Sequence, residues 1–165
     1  MVIVGVSVEL PETIVRILIE RARAEGRPWE DLVVSSIIER LRIEDPDTRA
    51  GIYLEMCRRF LREAEKKLAE GDYVQASEKG WGAAAEVIKA LAAKEGLELK
   101  SHRDLHAYVA KIIQRLGDEE LRRLWAAANE LHRNFYENWL PPDLVRGYLE
   151  DVKQLVHTLE RLLKH

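Results

Sequence analysis

One cysteine in 165 residues, Cys57, rules out an intrachain disulfide and leaves no set of thiolates for a structural zinc site. Such sparing use of cysteine fits a reducing, cytosolic setting. An excess of positive charge is missing too: 26 Lys and Arg stand against 29 Asp and Glu, a formal charge of -3, so no overall field draws the chain to nucleic acid or to an anionic membrane. Any nucleic-acid contact has to be local. Long apolar runs are also absent. The opening Met1-Val-Ile-Val-Gly-Val-Ser-Val8 falls far short of a membrane span and has neither a basic leader nor a small-residue cleavage site, so it reads as neither signal peptide nor anchor. Gln and Asn are scarce, three of each beside abundant Glu and Arg, the bias of chains that work at high temperature. What is present is material for a core: 47% apolar and 33% charged residues suit one domain, or one domain with a small appendage, and exclude disordered and collagen-like architectures.

The first segment alternates, with Val2, Val4, Val6, Val8 and Leu10 on one face and Ile3, Gly5, Ser7 and Glu9 on the other, which predicts a half-buried strand ended by Pro11. A helix over about residues 12–25 follows, stopped near Gly26-Arg27-Pro28, and a second runs from Trp29 to Arg42. A lone strand leaves its ladder groups unpaired, so its natural mate is the same strand of a second chain. Glu44-Asp45-Pro46-Asp47 is the expected boundary between an arm over residues 1–45 and a helical body over 46–165. Helical spacing recurs over Arg49–Glu70, Tyr73–Glu95, Ser101–Leu116, Asp118–Trp139 and Asp143–Lys164, with no internal repeat and no low-complexity tract. The expected fold class is mostly α: an antiparallel bundle of four or five helices preceded by a strand-helix-helix dimerisation arm.

Val6-Ser-Val-Glu-Leu-Pro-Glu12 and the two short helices after it resemble the ribbon-helix-helix module, over about residues 2–42. That resemblance implies two chains pairing their strands and, in DNA-binding members, outward ribbon residues entering the major groove. Here those positions are Gly5, Ser7 and Glu9, and residues 1–45 hold six Arg against nine Asp and Glu. A net negative arm is repelled by phosphate, which favours dimerisation over DNA reading.

Further along, Leu68-Ala-Glu-Gly-Asp72-Tyr-Val-Gln-Ala-Ser, Gly80-Trp-Gly-Ala-Ala-Ala-Glu86 and Ser101-His102-Arg-Asp104 resemble the HEPN helical bundles, the nucleotide-binding domains of higher eukaryotes and prokaryotes. Leu131-His-Arg-Asn-Phe-Tyr-Glu137 is similar, more narrowly, to the archaeal PaREP repeat-protein branch, the combined likeness spanning roughly residues 49–163. The HEPN resemblance implies a metal-independent ribonuclease motif, an Arg followed by Asn or another polar residue with a His a few positions on. Two copies would meet at a dimer cleft, Arg holding the scissile phosphate and His moving a proton. It also leaves room for a nucleotidyltransferase partner chain.

Carried onto this chain, the motif falls on Arg133-Asn134-Phe135-Tyr136-Glu137-Asn138, with Asn138 where His is expected. An amide has no titratable proton near neutrality, so Asn138 can orient a phosphate or a water but cannot serve as acid or base. His132 precedes the Arg, but adjacent helical residues point about 100° apart. It shares the apolar stripe with Ala128, Phe135 and Trp139, which favours a packed histidine over a displaced catalytic one. Asn129, Arg133 and Tyr136 form a polar stripe on one flank, and the planar guanidinium fork of Arg133 suits phosphate. The candidate ligand-binding residues are therefore Arg133, Asn134, Tyr136, Asn138 and Asn129, with Arg133 and His132 the only candidates for chemistry.

No metal or cofactor is implied. His102 and His106 are spaced as two metal ligands would be, but two do not make a site. Cys57 reads as a core residue, Gly80 and Gly82 as close-packing positions, and Trp29, Trp81, Trp125 and Trp139 as buried anchors. The expected function is a dimeric binding or regulatory module for nucleotide or RNA phosphate without robust catalysis. The alternatives are a toxin-type ribonuclease using Arg133 and a ribbon-helix-helix DNA-binding regulator.

Overall fold

The run from Lys79 to Ala93 has small or apolar residues all round, and a helix of that kind has to be enclosed on every side. The computed structural model describes residues 5–164, and in it this segment is the central helix of seven. In chain order they are α1 (Glu12–Glu25), α2 (Trp29–Arg40), α3 (Pro46–Ala69), α4 (Tyr73–Lys94), α5 (His102–Leu116), α6 (Glu120–Glu137) and α7 (Pro142–Leu163). Every residue of α4 from Lys79 to Ala93 is buried. Helices α3, α5, α6 and α7 each pack against it. One core joins Phe60 of α3, Trp81 and Ile88 of α4, Tyr108 of α5, Leu124 and Leu131 of α6, and Val152 and Leu159 of α7.

Local chemistry sets the ends of these helices. Asp45 caps α3 by accepting from the Thr48 N–H at 2.9 Å, Asp72 caps α4 through the Gln75 N–H at 3.1 Å, and Ser101 caps α5 through the Asp104 N–H at 3.1 Å. Gly26 closes α1 in the left-handed region at φ 66°. Close approach explains both interior glycines of α4: a Cβ on Gly80 would lie 2.8 Å from Leu131 Cδ1, and one on Gly82 would meet Phe60 Cδ2 at 3.0 Å and Pro28 Cγ at 3.2 Å. Gly82 thus lets the turn between α1 and α2 rest on the central helix. Ile38 of α2 completes that seat by packing with Ala50, Tyr53, Ala90 and Ala93.

The structure corrects the expected fold class. Among the described residues there is no strand and no sheet, and seven helices stand where a strand-helix-helix arm and a four- or five-helix bundle were expected. Val6, Val8 and Leu10 lie in an irregular, exposed segment, while Val2, Ile3 and Val4 are outside the described residues. The physical reason is the one that makes isolated strands unstable. Among the described residues no second strand offers carbonyls and amides to residues 5–10, so alternation alone does not produce a ladder.

Candidate functional site

The Arg133–Asn138 motif and the polar stripe beside it fall on the last turns of α6 and the corner leading to α7. Asn138 adopts the left-handed conformation at φ 48°, and its N–H reaches Asn134 O at 2.8 Å, so the helix stops at Glu137. Asn134 holds that corner. Its Oδ1 accepts from the N–H groups of Trp139 at 3.0 Å and Leu140 at 2.8 Å, and its Nδ2 donates to Ser77 Oγ of α4 at 2.9 Å. At 1% exposure, Asn134 is committed to the fold and turns away from any ligand.

The same corner pushes two neighbours outward. Arg133 is exposed, bonds Glu130 at 3.1 Å, and places its guanidinium 4.9 Å from the centre of the Trp139 ring. Trp139 is 53% exposed, which corrects its reading as a buried anchor: the helix ends two residues earlier than its apolar spacing suggested, so Trp139 leaves the stripe. Trp81 and Trp125 are buried as expected, and Trp29 is half-buried. Tyr136 and Asn138 are exposed nearby, and Asn129 is half-buried with its Nδ2 bonded to Trp125 O at 2.8 Å.

His132 faces the other way. Its ring lies 4.6 Å from Trp81, 4.8 Å from His102 and 5.3 Å from Tyr136, centre to centre. Burial, with His102 and His106 adding repulsion, holds its pKa down to about 4, so it is a neutral imidazole at pH 7. His102 stacks on Trp81 at 5.2 Å and bonds Gly26 O at 2.6 Å, and since a carbonyl only accepts, its Nε2 carries the proton. His106 Nδ1 accepts from the Trp125 indole N–H at 3.0 Å. Three histidines from two helices thus gather around Trp81 and Trp125. Sequence reasoning missed this grouping, because His102 and His132 lie on different helices and only the tertiary crossing brings them together. Among the described residues no three His, Cys, Asp or Glu side chains are placed to hold a metal ion.

A second polar group lies under the turn between α1 and α2. Asp31 accepts from Arg27 Nε at 2.7 Å and from Lys89 Nζ at 2.7 Å, and Glu86 lies 3.7 Å from the same ammonium. Burial raises the Glu86 carboxyl well above the ordinary range, and the charge of Asp31 adds to that. Burial works in the same direction on Asp31, but Lys89, the hydrogen bond from Glu86 and Arg27 together hold its carboxyl low. Two carboxyl groups displaced in opposite directions therefore share the site with two cations.

Chemically, the arrangement separates the two candidates for catalysis. Arg133 presents a guanidinium fork to solvent at the α6 corner, whereas His132 lies against Trp81 on the far flank, with a pKa too low for efficient proton transfer at neutrality. Asn138 is at the corner but has no proton that titrates near neutrality. No described helix is long and apolar enough to cross a membrane. No curated protein and no solved structure matches the chain. The model of the archaeal PaREP1/PaREP8 family, by contrast, matches residues 52–156, from α3 to α7 and across every residue of this corner. The helices that carry the candidate site are thus the family's own, and the chain belongs to the archaeal PaREP1/PaREP8 family.

Proposed function

We propose that the protein is a HEPN-like binding module that recognises the phosphate of a nucleotide or RNA at the α6–α7 corner and does not turn it over. The observation that carries this reading is the exposed Arg133 guanidinium lying 4.9 Å over the exposed Trp139 ring. A guanidinium fork binds phosphate with paired donors, and an indole face stacks a base whatever its identity. Glu130 is the competing partner of Arg133, but an exposed ion pair is worth only ~0–1 kcal/mol and yields readily to a dianion. Tyr136 and Asn138 flank the corner and add hydroxyl and amide groups to the same surface. Absence of turnover follows from chemistry: the Asn138 amide has no titratable proton near neutrality, and His132 is neutral and packed against Trp81.

The module works as a homodimer in this reading. Val6, Val8, Ile14, Ile17 and Leu41 expose apolar side chains on and beside the first helix pair, the kind of surface a second chain can cover. The direct test is titration of the full chain with 5′-AMP and with a short single-stranded RNA, following tryptophan fluorescence. Quenching is expected on binding. Arg133→Ala should lower affinity by about 1.5–3 kcal/mol, the range for a charge-assisted hydrogen bond, and Trp139→Ala should remove most of the quench. RNA cleavage by the wild type that is lost in His132→Ala overturns the non-catalytic reading; unchanged affinity in Arg133→Ala overturns the site.

A further inference from the structure

Residues of α1, α2, α4 and α6 line a half-open pocket of about 210 Å3 that Arg133 does not border. Its walls are of two kinds. Ile19, Ala22, Trp29 and Phe135 are largely apolar, while Arg23, Glu30, Gln75 and Glu78, with Arg27 already bonded to Asp31, bring charge of both signs and an amide. Most polar side chains of this protein are paired, but here several are not. Among the described residues neither Arg23 nor Glu78 forms an ion pair, and Gln75 bonds Asp72 through its backbone rather than its amide. Glu30 pairs with Lys79 through Oε1 at 2.6 Å, and its Oε2 is buried with no hydrogen-bond partner. A buried carboxylate oxygen left unmatched is costly unless a donor arrives.

We propose that this pocket binds a small zwitterion of the free apolar α-amino-acid class, with its ammonium between Glu30 and Glu78, its carboxylate toward Arg23, and its side chain against Ile19 and Phe135. Each part of that assignment follows from the wall it faces. A simple anion is refused by the two carboxylates, and a simple cation leaves the Arg23 guanidinium unanswered beside it. A wholly apolar ligand strands all of these groups. The volume is below the ~300–1,000 Å3 of pockets for drug-sized molecules, which suits a metabolite of a few heavy atoms.

Electrostatics give the binding a signature. Burial raises the Glu78 carboxyl to about 7, with Glu30 of α2 adding repulsion against the attraction of Lys79 on α4 and Arg23 on α1. From α6 the facing titratable group is the Tyr136 hydroxyl, itself pushed up by burial and by Glu78. At pH 7 the Glu78 site thus carries roughly half a proton, and an incoming ammonium favours the ionised form, so binding releases that fraction. This site is separate from the reading of Arg133, Tyr136 alone lying near both.

Calorimetric titration of the full chain at pH 7 with L-leucine and L-phenylalanine, in PIPES and in Tris, tests the proposal. Saturable binding is expected, with an enthalpy that differs between the buffers by the amount proton release requires. The half-ligands 4-methylpentanoate and 3-methylbutylamine should bind at least tenfold more weakly. Glu78→Gln should weaken leucine binding at least tenfold and abolish the buffer dependence. Arg23→Ala, at an exposed position that does not threaten folding, should weaken it similarly, whereas Arg133→Ala should bind leucine as the wild type does. No saturable binding of either amino acid at millimolar concentration, undiminished binding in Arg23→Ala, or half-ligands that bind as tightly as leucine would each overturn it.

Discussion

Asn134 and Arg133 are sequence neighbours with opposite fates, and the difference is measurable as stability. Truncating Asn134 leaves the N–H groups of Trp139 and Leu140 and the Ser77 hydroxyl without their partner in a buried setting. Asn134→Ala is expected to cost about 2–3 kcal/mol in urea unfolding, because orphaned buried groups forfeit their solvation. Arg133→Ala, which removes only an exposed pair, should change stability by less than ~0.5 kcal/mol. His132 predicts a pH dependence. Its folded pKa is lowered from 6.5 to about 4, so between those values the unfolded chain binds a proton that the native chain does not. Stability is therefore lost as pH falls through that window and is intact above it. His132→Phe, which keeps a ring against Trp81, should flatten the loss of urea midpoint between pH 6.5 and 4, and an unchanged slope would assign it to another group.

Among the helices, glycine separates packing from propensity. Gly51 and Gly147 sit inside α3 and α7 with open space where a Cβ would go, so Gly51→Ala and Gly147→Ala should each stabilise by about 0.4–1 kcal/mol. At Gly82 a Cβ meets the rigid rings of Phe60 and Pro28, and at Gly80 it meets buried Leu131 and Leu149. Gly82→Ala should be destabilising by about 1–3 kcal/mol despite the propensity gain, with thermal melting as the readout. The spacing in the sequence marked these glycines as close-approach positions, but it did not say that the approaching element is the turn of the first helix pair. Docking of that pair rests on Lys79 with Glu30, Lys89 with Asp31 and His102 with Gly26 O, none of them adjacent in the chain. Lys89→Met should destabilise by less than the ~3–5 kcal/mol of a buried carboxylate left with no cation, because Asp31 keeps Arg27, and hydrogen exchange in α2 should rise with it.

At the level of the whole molecule, helical spacing marked the helical runs but not the architecture they build, and their starts are set by Asp45, Asp72 and Ser101, which cap α3, α4 and α5. The N-terminal strand misled because alternation is a property of a residue run, whereas a strand is a property of two runs, and no second one stands among the described residues. The Arg133–Asn138 segment was found from its motif, but the division of labour within it was not, since only the helix stop at Asn138 decides that Trp139 swings out and Asn134 turns in. The apolar surface around Val6, Val8, Ile14 and Ile17 belongs to this scale too. Sedimentation should show concentration-dependent self-association of the full chain that weakens in Ile14→Ser/Ile17→Ser, and a monomer throughout the micromolar range would remove the homodimer from the proposed function.

Cys57 is wholly enclosed where α3 meets α4, and burial, reinforced by the charges of Glu160 and Glu86, raises its thiol above the ordinary value. A thiol so placed is unreactive until the interface parts, and no second cysteine competes with it for reagent. The molecule therefore carries its own clock. The rate at which a disulfide reagent modifies Cys57 in native buffer counts openings of the central helix, without denaturant and without an added label. A bound ligand that tightens the body slows that clock, and one that merely touches the surface leaves it running.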